Sequence, residues 1–288
     1  MPELPEVETV RRMLADHIPG RRIANANVSR HRLRSETLAG LPHRLEGRAF
    51  AAPRRTGKFL FLDLDDGHTL LSHLGMSGRW LFAAASEDSL DAEMPHVHLR
   101  LEFADRSRLW YQDIRRFGML RIVPLARLSD DPSVRLLGPD PLEHPPTPGS
   151  LLDAAHRSRV AVKTFLLDQR KLAGIGNIYA SEILHRSRVD PRRPAGAVTP
   201  EEWSRIAPEI TRVLGDAVSR MGTTFSTYRT IWNEPGQYGD QLLVYDRAGQ
   251  PCRSCGAPVR RFVQAGRATF WCPDCQRRAA TARKRPKA

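Results

Sequence analysis

The four cysteines of this 288-residue chain constrain its fold more than any other feature. They form two Cys-x-x-Cys pairs near the C-terminus, and sixteen residues separate the pairs: Cys252, Cys255, Cys272 and Cys275. Such pairs predict one tetrahedral zinc site, because each pair supplies two thiolates and a β-hairpin brings them together. Four protein ligands leave no open position for water, so the zinc is expected to be structural. Two disulfides are the alternative, although nothing else indicates secretion.

The segment that holds the cysteines is also strongly basic. Residues 259–263 and 268–271 predict its two strands, and Ala265-Gly266 predicts the turn between them. Residues 250–288 contain ten Arg and Lys against a single Asp, which is +9 of the formal net charge of +13. Concentrated positive charge is typical of proteins that bind a phosphate backbone, so nucleic acid is the expected partner. A basic tail that only aids solubility is the alternative.

The beginning of the chain, Met1-Pro2-Glu3-Leu4-Pro5-Glu6, places a proline beside an acid. A small second residue permits removal of the initiator Met, which would leave a free secondary amine next to a carboxylic acid. An α-amino group has a pKa of about 7.7 to 8.0, so a larger fraction is unprotonated at neutral pH than for lysine. Pro2 and Glu3 are therefore a candidate nucleophile and proton donor. Alternatively, Pro2 has no chemical task and Pro5 simply begins a helix.

The order of periodic segments predicts an α+β chain with several domains. A helix at residues 5–18 precedes a β-rich region, and the strands predicted there, which together indicate a sandwich, are 58–64, 68–74, 97–103, 106–111 and 119–123. Prolines crowd residues 139–149 and exclude both helix and central strand. The expected divisions are an N-terminal sandwich domain at 1–138, a linker at 139–149, a helical domain at 150–245, the zinc finger at 246–278 and a disordered basic tail at 279–288.

Two motifs stand out in the helical region. Thr199, Pro200 and Glu202 predict the capped start of a helix with a long apolar face. Residues 174–178, Gly-Ile-Gly-Asn-Ile, lack the third glycine and the preceding strand of a dinucleotide fingerprint. They predict instead a tight turn that opens a helix, whose amides and Asn177 side chain can hold a DNA phosphate. A turn without a ligand remains the alternative.

Taken together, these motifs resemble the bacterial formamidopyrimidine-DNA glycosylases in order and spacing over nearly the full length. The segments that carry the resemblance are residues 2–9, Gly57-Lys58, residues 73–76, residues 113–118, residues 174–182 and the four-cysteine finger. The resemblance implies an N-terminal β-sandwich with flanking helices and a C-terminal helix-two-turn-helix domain with a zinc-finger hairpin. It also implies a DNA glycosylase with AP lyase activity in base excision repair, which excises oxidised purines through a proline Schiff base and then β,δ-elimination.

The same resemblance implies roles for individual residues. Pro2 would attack the anomeric carbon, Glu3 would act as general acid, and Lys58 and Arg267 would assist elimination and bind phosphate. The residues implied to contact DNA are Met76, His96, Arg115, Phe117, Arg159, Lys163 and Asn177. Among them Met76, Arg115 and Phe117, here called the insertion residues, would fill the space that an extruded nucleotide leaves. Considered individually, Lys58, Arg159 and Lys163 could also be ordinary charged residues of the surface. Met76 and Phe117 could be residues of a hydrophobic core.

The expected partner is double-stranded DNA with damaged bases or abasic sites, bound by a monomer that contains one structural Zn²⁺. No segment approaches the roughly 18 apolar residues of a membrane span, and the acidic start is unlike a signal peptide. We therefore expect a protein of the bacterial cytosol and nucleoid.

Two segments depart from the family pattern. Met94-Pro95-His96 stands where the family commonly has a His-x-His pair, which leaves one expected DNA contact open. Residues 230–233, within the stretch 221–242 that covers the extruded base in relatives, also differ from the usual pattern, which leaves the preferred lesion open. One alternative function is an endonuclease VIII-like glycosylase for oxidised pyrimidines, which the insertion residues disfavour. The other is a zinc-finger DNA-binding protein without catalytic activity.

Overall fold

The computed structural model describes residues 1–34, 38–86, 94–224 and 227–277. Two compact units make up the chain: unit 1 is Met1–Leu137 with Gly215–Asp240, and unit 2 is Gly138–Leu214 with Gln241–Ala288. The predicted tail at 279–288 lies outside the described residues, as does residue 278 of the predicted zinc finger.

Unit 1 contains two antiparallel sheets of four strands each. Its helices are α1 (Leu4–Ala15) and α2 (Leu41–Leu45), and a 3₁₀ turn covers Leu125–Asp130. Its strands are β1 (Ile23–Val28), β2 (Arg54–Thr56), β3 (Phe59–Asp63), β4 (His68–His73), β5 (Gly78–Ala83), β6 (Val97–Phe103), β7 (Arg108–Asp113) and β8 (Met119–Pro124). The strand orders are β1-β6-β7-β5 and β2-β3-β4-β8. All five predicted strands are confirmed as β3, β4, β6, β7 and β8.

Side chains from α1 and from both sheets share one core, which makes unit 1 the predicted sandwich. Leu14 of α1, Leu62 of β3 and Trp80 of β5 belong to this buried cluster, and so do Tyr228 and Ile231 from the later segment of unit 1. The α1 helix is shorter than predicted and ends at Ala15 rather than residue 18. Pro19 accounts for the difference, because it has no N–H to donate to the Ala15 carbonyl and it disfavours the helical conformation of Ile18.

Unit 2 is helical and ends in a hairpin. Its helices are α3 (Pro148–Ala155), α4 (Val162–Leu167), α5 (Asn177–Arg186) and most of α6 (Pro200–Ser219), and its strands are β9 (Arg260–Gln264) and β10 (Arg267–Trp271). A 3₁₀ turn covers Ala195–Ala197, and a second 3₁₀ turn, Tyr238–Gln241, spans the boundary between unit 1 and unit 2. Two turns separate α4 from α5, as the helix-two-turn-helix prediction requires. The predicted cap of α6 is confirmed, since Thr199 N–H donates to Glu202 at 2.9 Å and Glu202 N–H donates back at 3.3 Å.

The predicted hairpin turn is confirmed as well. Ala265 and Gly266 both have positive φ angles, 48° and 73°, which suit the twist of a two-residue hairpin loop. Arg267 follows directly as the first residue of β10. Within the described part of the chain, no helix has the length and apolar character needed to cross a bilayer.

Candidate functional site

Pro2 and Glu3 lie immediately before α1, and Glu3 is the N-cap of that helix. Both side chains are buried, Glu3 to 2% exposure, whereas Met1 is 47% exposed. Glu6 in the first turn accepts a hydrogen bond from the Glu3 N–H at 2.7 Å. The two residues predicted to do the chemistry are therefore held rigidly at a helix N-terminus.

The Glu6 carboxylate also binds the later segment of unit 1. It accepts a second hydrogen bond from the Thr223 N–H at 2.8 Å. Gly222 has φ +76°, and a Cβ on it would lie 2.6 Å from Glu6 Oε1, so this contact requires glycine. Residues 222–223 are thereby fixed beside the first turn of α1. The sequence indicated Glu6 only as part of the opening motif, and its role as a bridge depends on a partner more than 200 residues away.

Lys58 lies in the turn between β2 and β3 and is only 6% exposed. Arg55, itself 4% exposed, donates to the Gly57 carbonyl at 3.0 Å and to Glu8 Oε2 of α1 at 2.9 Å. Gly57 has φ +58°, which glycine adopts at little cost. Arg55 therefore connects α1, whose N-cap is Glu3, to the turn that contains Lys58.

Glu8 is the centre of this connection. Burial raises the pKa of its carboxyl, but hydrogen bonds from Arg11, Arg12 and Arg55 outweigh burial and lower the pKa from 4.5 to about 2. The carboxylate is thus ionised throughout the physiological range. It anchors Arg55, whose second hydrogen bond fixes Gly57.

His73 is a residue of this region to which the sequence analysis assigned no role. It ends β4, its Nδ1 accepts the Gly75 N–H at 3.0 Å, and its ring lies 4.8 Å from that of Phe59. Burial, and then the positive charges of Lys58 and Arg34, lower the pKa of His73 from 6.5 to about 4. The imidazole is therefore neutral at pH 7. The sequence indicated it only as the first residue of the segment 73–76 that carries the family resemblance.

The insertion residues lie on exposed loops of unit 1. Met76 is 37% and Phe117 47% exposed, and Arg115 is also exposed, with its guanidinium 4.9 Å from the centre of the Phe117 ring. A Cβ on Gly75 would lie 2.4 Å from the Phe117 carbonyl carbon, so the two loops touch backbone to backbone. The structure thus brings the three residues together and leaves them exposed, which rules out the alternative that Met76 and Phe117 are core residues.

His96 is exposed in the turn before β6, with φ +63°. Its carbonyl accepts the Asp113 N–H at 3.0 Å, which ties this turn to the end of β7. His96 is therefore placed on the surface by the same strand end that leads into the loop of Arg115 and Phe117.

In unit 2, Asn177 is the first residue of α5, as predicted. Its Oδ1 accepts from Lys163 Nζ at 2.7 Å, and its Nδ2 donates to the Ala268 carbonyl of β10 at 2.9 Å. The amide is thus fixed between α4 and the hairpin. The N-terminal end of α5 also carries the positive end of the helix dipole, which suits an anion.

The prediction that Lys163 faces DNA is corrected by the structure. Lys163 is 1% exposed, and besides Asn177 its ammonium donates to the Ala268 carbonyl at 3.0 Å and to Thr269 Oγ1 at 2.9 Å. Three acceptors inside unit 2 satisfy the three N–H groups of the ammonium, which explains how a lysine can be buried here. Lys163 holds Asn177 and β10 in place instead of meeting solvent.

Arg159 and Arg267 are exposed, as predicted. Arg267 lines an open cavity of about 480 Å³ within unit 2, together with polar and charged side chains that include Ser158, Asp168 and Lys171 and with apolar ones that include Phe165.

The four cysteines converge as predicted. Their sulfurs lie within 4.8 Å of one another, with Cys255–Cys272 at 3.5 Å and Cys252–Cys275 at 3.8 Å. Zn–S bonds of about 2.3 Å in a tetrahedron place sulfurs about 3.8 Å apart, whereas a disulfide needs about 2.05 Å. The donor set therefore fits one structural zinc ion and contradicts the disulfide alternative. His185 of α5 approaches this site, with Nε2 3.4 Å from Cys252 Sγ.

Three family models match the chain in succession. They are the formamidopyrimidine-DNA glycosylase N-terminal domain at residues 1–120, the formamidopyrimidine-DNA glycosylase H2TH domain at residues 137–229, and the zinc finger found in FPG and IleRS at residues 249–278. The third model agrees with the zinc site derived from the sulfur geometry.

Curated relatives match along almost the whole chain. The formamidopyrimidine-DNA glycosylase of Methylococcus capsulatus is 42% identical over 285 residues, and that of Rhodopseudomonas palustris TIE-1 is 38% identical over 291. Each alignment covers 96% of this chain and 100% of the relative.

Solved structures agree with these relatives. The MutM (FPG) protein of Thermus thermophilus superposes with a TM-score of 0.83 at 38% identity, covering 96% of this chain and 98% of that one. A Lactococcus lactis FPG mutant in complex with Fapy-dG-containing DNA gives 0.88 at 30% identity, covering 96% and 100%. The fold and activity implied by the sequence motifs are thereby confirmed: this chain belongs to the formamidopyrimidine-DNA glycosylase family, the base-excision-repair DNA glycosylases with AP lyase activity.

Proposed function

We propose that this chain excises oxidised purines from double-stranded DNA with the nitrogen of Pro2 and then cleaves the strand by β,δ-elimination. Family membership supports the reaction, and one observation supports its assignment to these residues. Pro2 and Glu3 are held together at the start of α1, and Glu6 fixes this turn against Thr223.

Removal of Met1 would convert the Pro2 nitrogen from an amide into a nucleophilic secondary amine. Its lone pair would attack the anomeric carbon of the damaged nucleotide, and the bond to the base would break with the base leaving as an anion that takes up a proton. Glu3 would protonate the ring oxygen as the sugar opens. The product is an iminium, which must be cationic because a secondary amine has no second proton to lose.

The iminium would then act as an electron sink for strand cleavage. Loss of a proton from C2′ expels the 3′-phosphate, and loss of a proton from C4′ of the resulting conjugated iminium then expels the 5′-phosphate. Lys58, held by Gly57 and Arg55, would assist these proton transfers. Arg267 would bind the phosphate groups that flank the lesion and stabilise their negative charge as they leave.

Extrusion of the nucleotide costs a few kcal/mol in lost stacking. The insertion residues would offset this cost, since Met76 and Phe117 offer exposed apolar surface and Arg115 offers hydrogen bonds to the orphaned base. The N-terminal end of α5 with Asn177, together with His96 and Arg159, would bind the backbone of the same duplex. Such a protein would act as a monomer on DNA in the bacterial cytosol and nucleoid.

Borohydride trapping tests the assignment of Pro2. The protein with a processed N-terminus should form a covalent adduct with duplex that contains 8-oxoguanine, and a version with an N-terminal tag should form none while binding an abasic analogue with similar affinity. The matched control carries the same tag at the C-terminus and should trap normally. Equal trapping by the N-terminally blocked protein would refute the role of Pro2.

Lesion preference needs a separate assay. Rates of release should be compared for 8-oxoguanine, a formamidopyrimidine and an oxidised pyrimidine in the same duplex context. We expect the two purine lesions to be released faster. Faster release of the pyrimidine would favour the endonuclease VIII-like alternative without affecting the assignment of Pro2.

A further inference from the structure

A fully buried carboxylate lies beneath the exposed insertion residues. Asp113 ends β7 and has 0% of its surface exposed. Its Oδ1 accepts from Ser77 Oγ at 2.5 Å and from the Arg115 N–H at 3.2 Å, and its Oδ2 accepts from the Gly118 N–H at 2.7 Å. The Asp113 side chain is thus hydrogen-bonded to Ser77, which follows Met76, to Arg115 itself and to Gly118, which follows Phe117.

Ser77 completes this connection between the two loops. Its hydroxyl donates to Asp113 and accepts the Arg115 N–H at 2.9 Å, so it stands between the Met76 loop and the Arg115 loop. Ser77 is 3% exposed, which protects these bonds from water. The loops cannot shift independently without breaking a buried hydrogen bond.

The backbone of Asp113 extends the same network. Its N–H donates to the His96 carbonyl at 3.0 Å, and its carbonyl lies 3.0 Å from His98 Nε2. Below it, the buried Tyr111 leaves no room for side chains, since a Cβ on Gly118 would lie 1.8 Å from the Tyr111 hydroxyl oxygen. The platform under the exposed residues is therefore tightly packed as well as hydrogen-bonded.

We propose that Asp113 is a positioning residue that holds Met76, Arg115 and Phe117 in one arrangement before DNA arrives. The proposal rests on the proposed function, because it concerns how these residues enter the duplex. A group that must fill a vacated stack acts only if it is already in place, and looseness of about 1 Å is enough to lose most of such an effect. Asp113 does not touch the reacting nucleotide, so its role should matter only where a stack has to be opened.

Asp113→Asn tests this directly. The amide retains the shape of the carboxylate but replaces one acceptor with a donor that faces an N–H or a hydroxyl. Trapping on duplex with an abasic site should slow by about ten- to a hundredfold, the effect of a lost charge-assisted buried hydrogen bond. Trapping on a single-stranded abasic oligonucleotide, which needs no insertion, should stay within about twofold of wild type.

Asp131→Asn is the matched control, because Asp131 is another buried acid of unit 1, 7% exposed and paired with Arg121. It should leave the ratio of duplex to single-strand trapping unchanged. Ser77→Ala provides a milder variant that keeps the carboxylate, and it should show a smaller loss of the same duplex-specific kind. If Asp113→Asn slows both substrates equally, or if Ser77→Ala traps duplex like wild type, the proposal is overturned.

A fluorescence assay separates this proposal from the chemistry of Pro2. The probe is 2-aminopurine placed opposite a stable tetrahydrofuran abasic analogue, where unstacking raises its emission without any bond being broken. We expect a clear rise with wild type and a reduced rise with Asp113→Asn. If wild type traps neither substrate but gives the rise, and Asp113→Asn gives a reduced rise, the role of Pro2 fails while that of Asp113 stands. Equal rises for wild type and Asp113→Asn would overturn the positioning role.

Discussion

Replacement of Glu8 by glutamine should make unit 1 less stable in a way that depends on pH. Glu8 is 6% exposed and accepts hydrogen bonds from three arginines, of which Arg55 also fixes Gly57 next to Lys58. The glutamine keeps the size of the side chain and one acceptor oxygen but loses the negative charge. The buried Arg55 then loses its ion pair with Glu8, which is the costly half of such a change.

The magnitude follows from the pKa of Glu8, which is lowered from 4.5 to about 2. Each tenfold change in proton affinity is worth about 1.4 kcal/mol, so the lowering corresponds to at most about 3.4 kcal/mol. The Arg12 and Arg11 side chains are 59% and 27% exposed, and water screens their share of the interaction. We therefore expect about 2 kcal/mol from the charge of Glu8.

The sign is set by the direction of the pKa change. A carboxyl whose pKa is lower in the folded state stabilises the protein above pH 4.5, and this stabilisation is lost as the pH falls from 4.5 toward 2. Urea unfolding at pH 7 and near pH 3 measures the effect. Glu8→Gln should be about 2 kcal/mol less stable than wild type at pH 7, and the difference should shrink to less than half near pH 3.

Glu102→Gln is the control, because Glu102 is an exposed carboxylate on β6 of the same unit. It should change the free energy of unfolding by less than about 0.5 kcal/mol at either pH. A difference between wild type and Glu8→Gln that is the same at both pH values would show that the ionised carboxylate contributes nothing specific, and the argument about the arginine cluster would be wrong.

Three further measurements test other parts of the structure. Lys163→Met should leave the slope of log affinity against log salt unchanged, whereas Arg159→Ala should reduce the magnitude of the slope by about 0.9, as for one lost phosphate contact. Fluorescence anisotropy titrations of DNA binding at several salt concentrations measure the slopes, and a reduced slope for Lys163→Met would show that its ammonium contacts DNA. Removal of zinc by a chelator should unfold the hairpin that carries Arg267 and weaken duplex binding, and added Zn²⁺ should restore both the circular dichroism and the affinity. Gly222→Ala should lower the free energy of unfolding by about 1 to 3 kcal/mol, because its Cβ would meet the Glu6 carboxylate; an unchanged denaturation midpoint would refute that contact.

Much of the fold could be predicted from the sequence because its signals are local. The capping pair Thr199 and Glu202, the turn at Ala265-Gly266 and the two cysteine pairs each act over a few residues, and each was found where predicted. The end of α1 was missed by three residues, since the apolar spacing continues to Ile18 while Pro19 stops the helix.

The site was less predictable wherever a residue's role depends on distant partners. Lys163 looked like a surface cation, but its acceptors lie on Asn177 and on β10, the latter more than 100 residues further along the chain. Without the fold, no spacing rule brings these groups together. Burial of a lysine is favourable only if its three N–H groups find acceptors, and a sequence does not show whether they do.

Asp113 is a second residue whose role could not be predicted from the sequence, in this case because it acts on other residues. Its motif drew attention to Arg115 and Phe117, whose exposed side chains can contact a ligand, and not to the acid that precedes them. The three donors to the Asp113 side chain come from two separate loops, and the bond to Ser77 spans 36 residues. A side chain that touches DNA can be identified by its chemistry alone, whereas one that positions others is recognised only by the geometry of its contacts. The variants of Asp113 and Ser77 therefore test what the fold adds to the motif: whether exposed residues suffice for insertion, or must be held by a buried carboxylate.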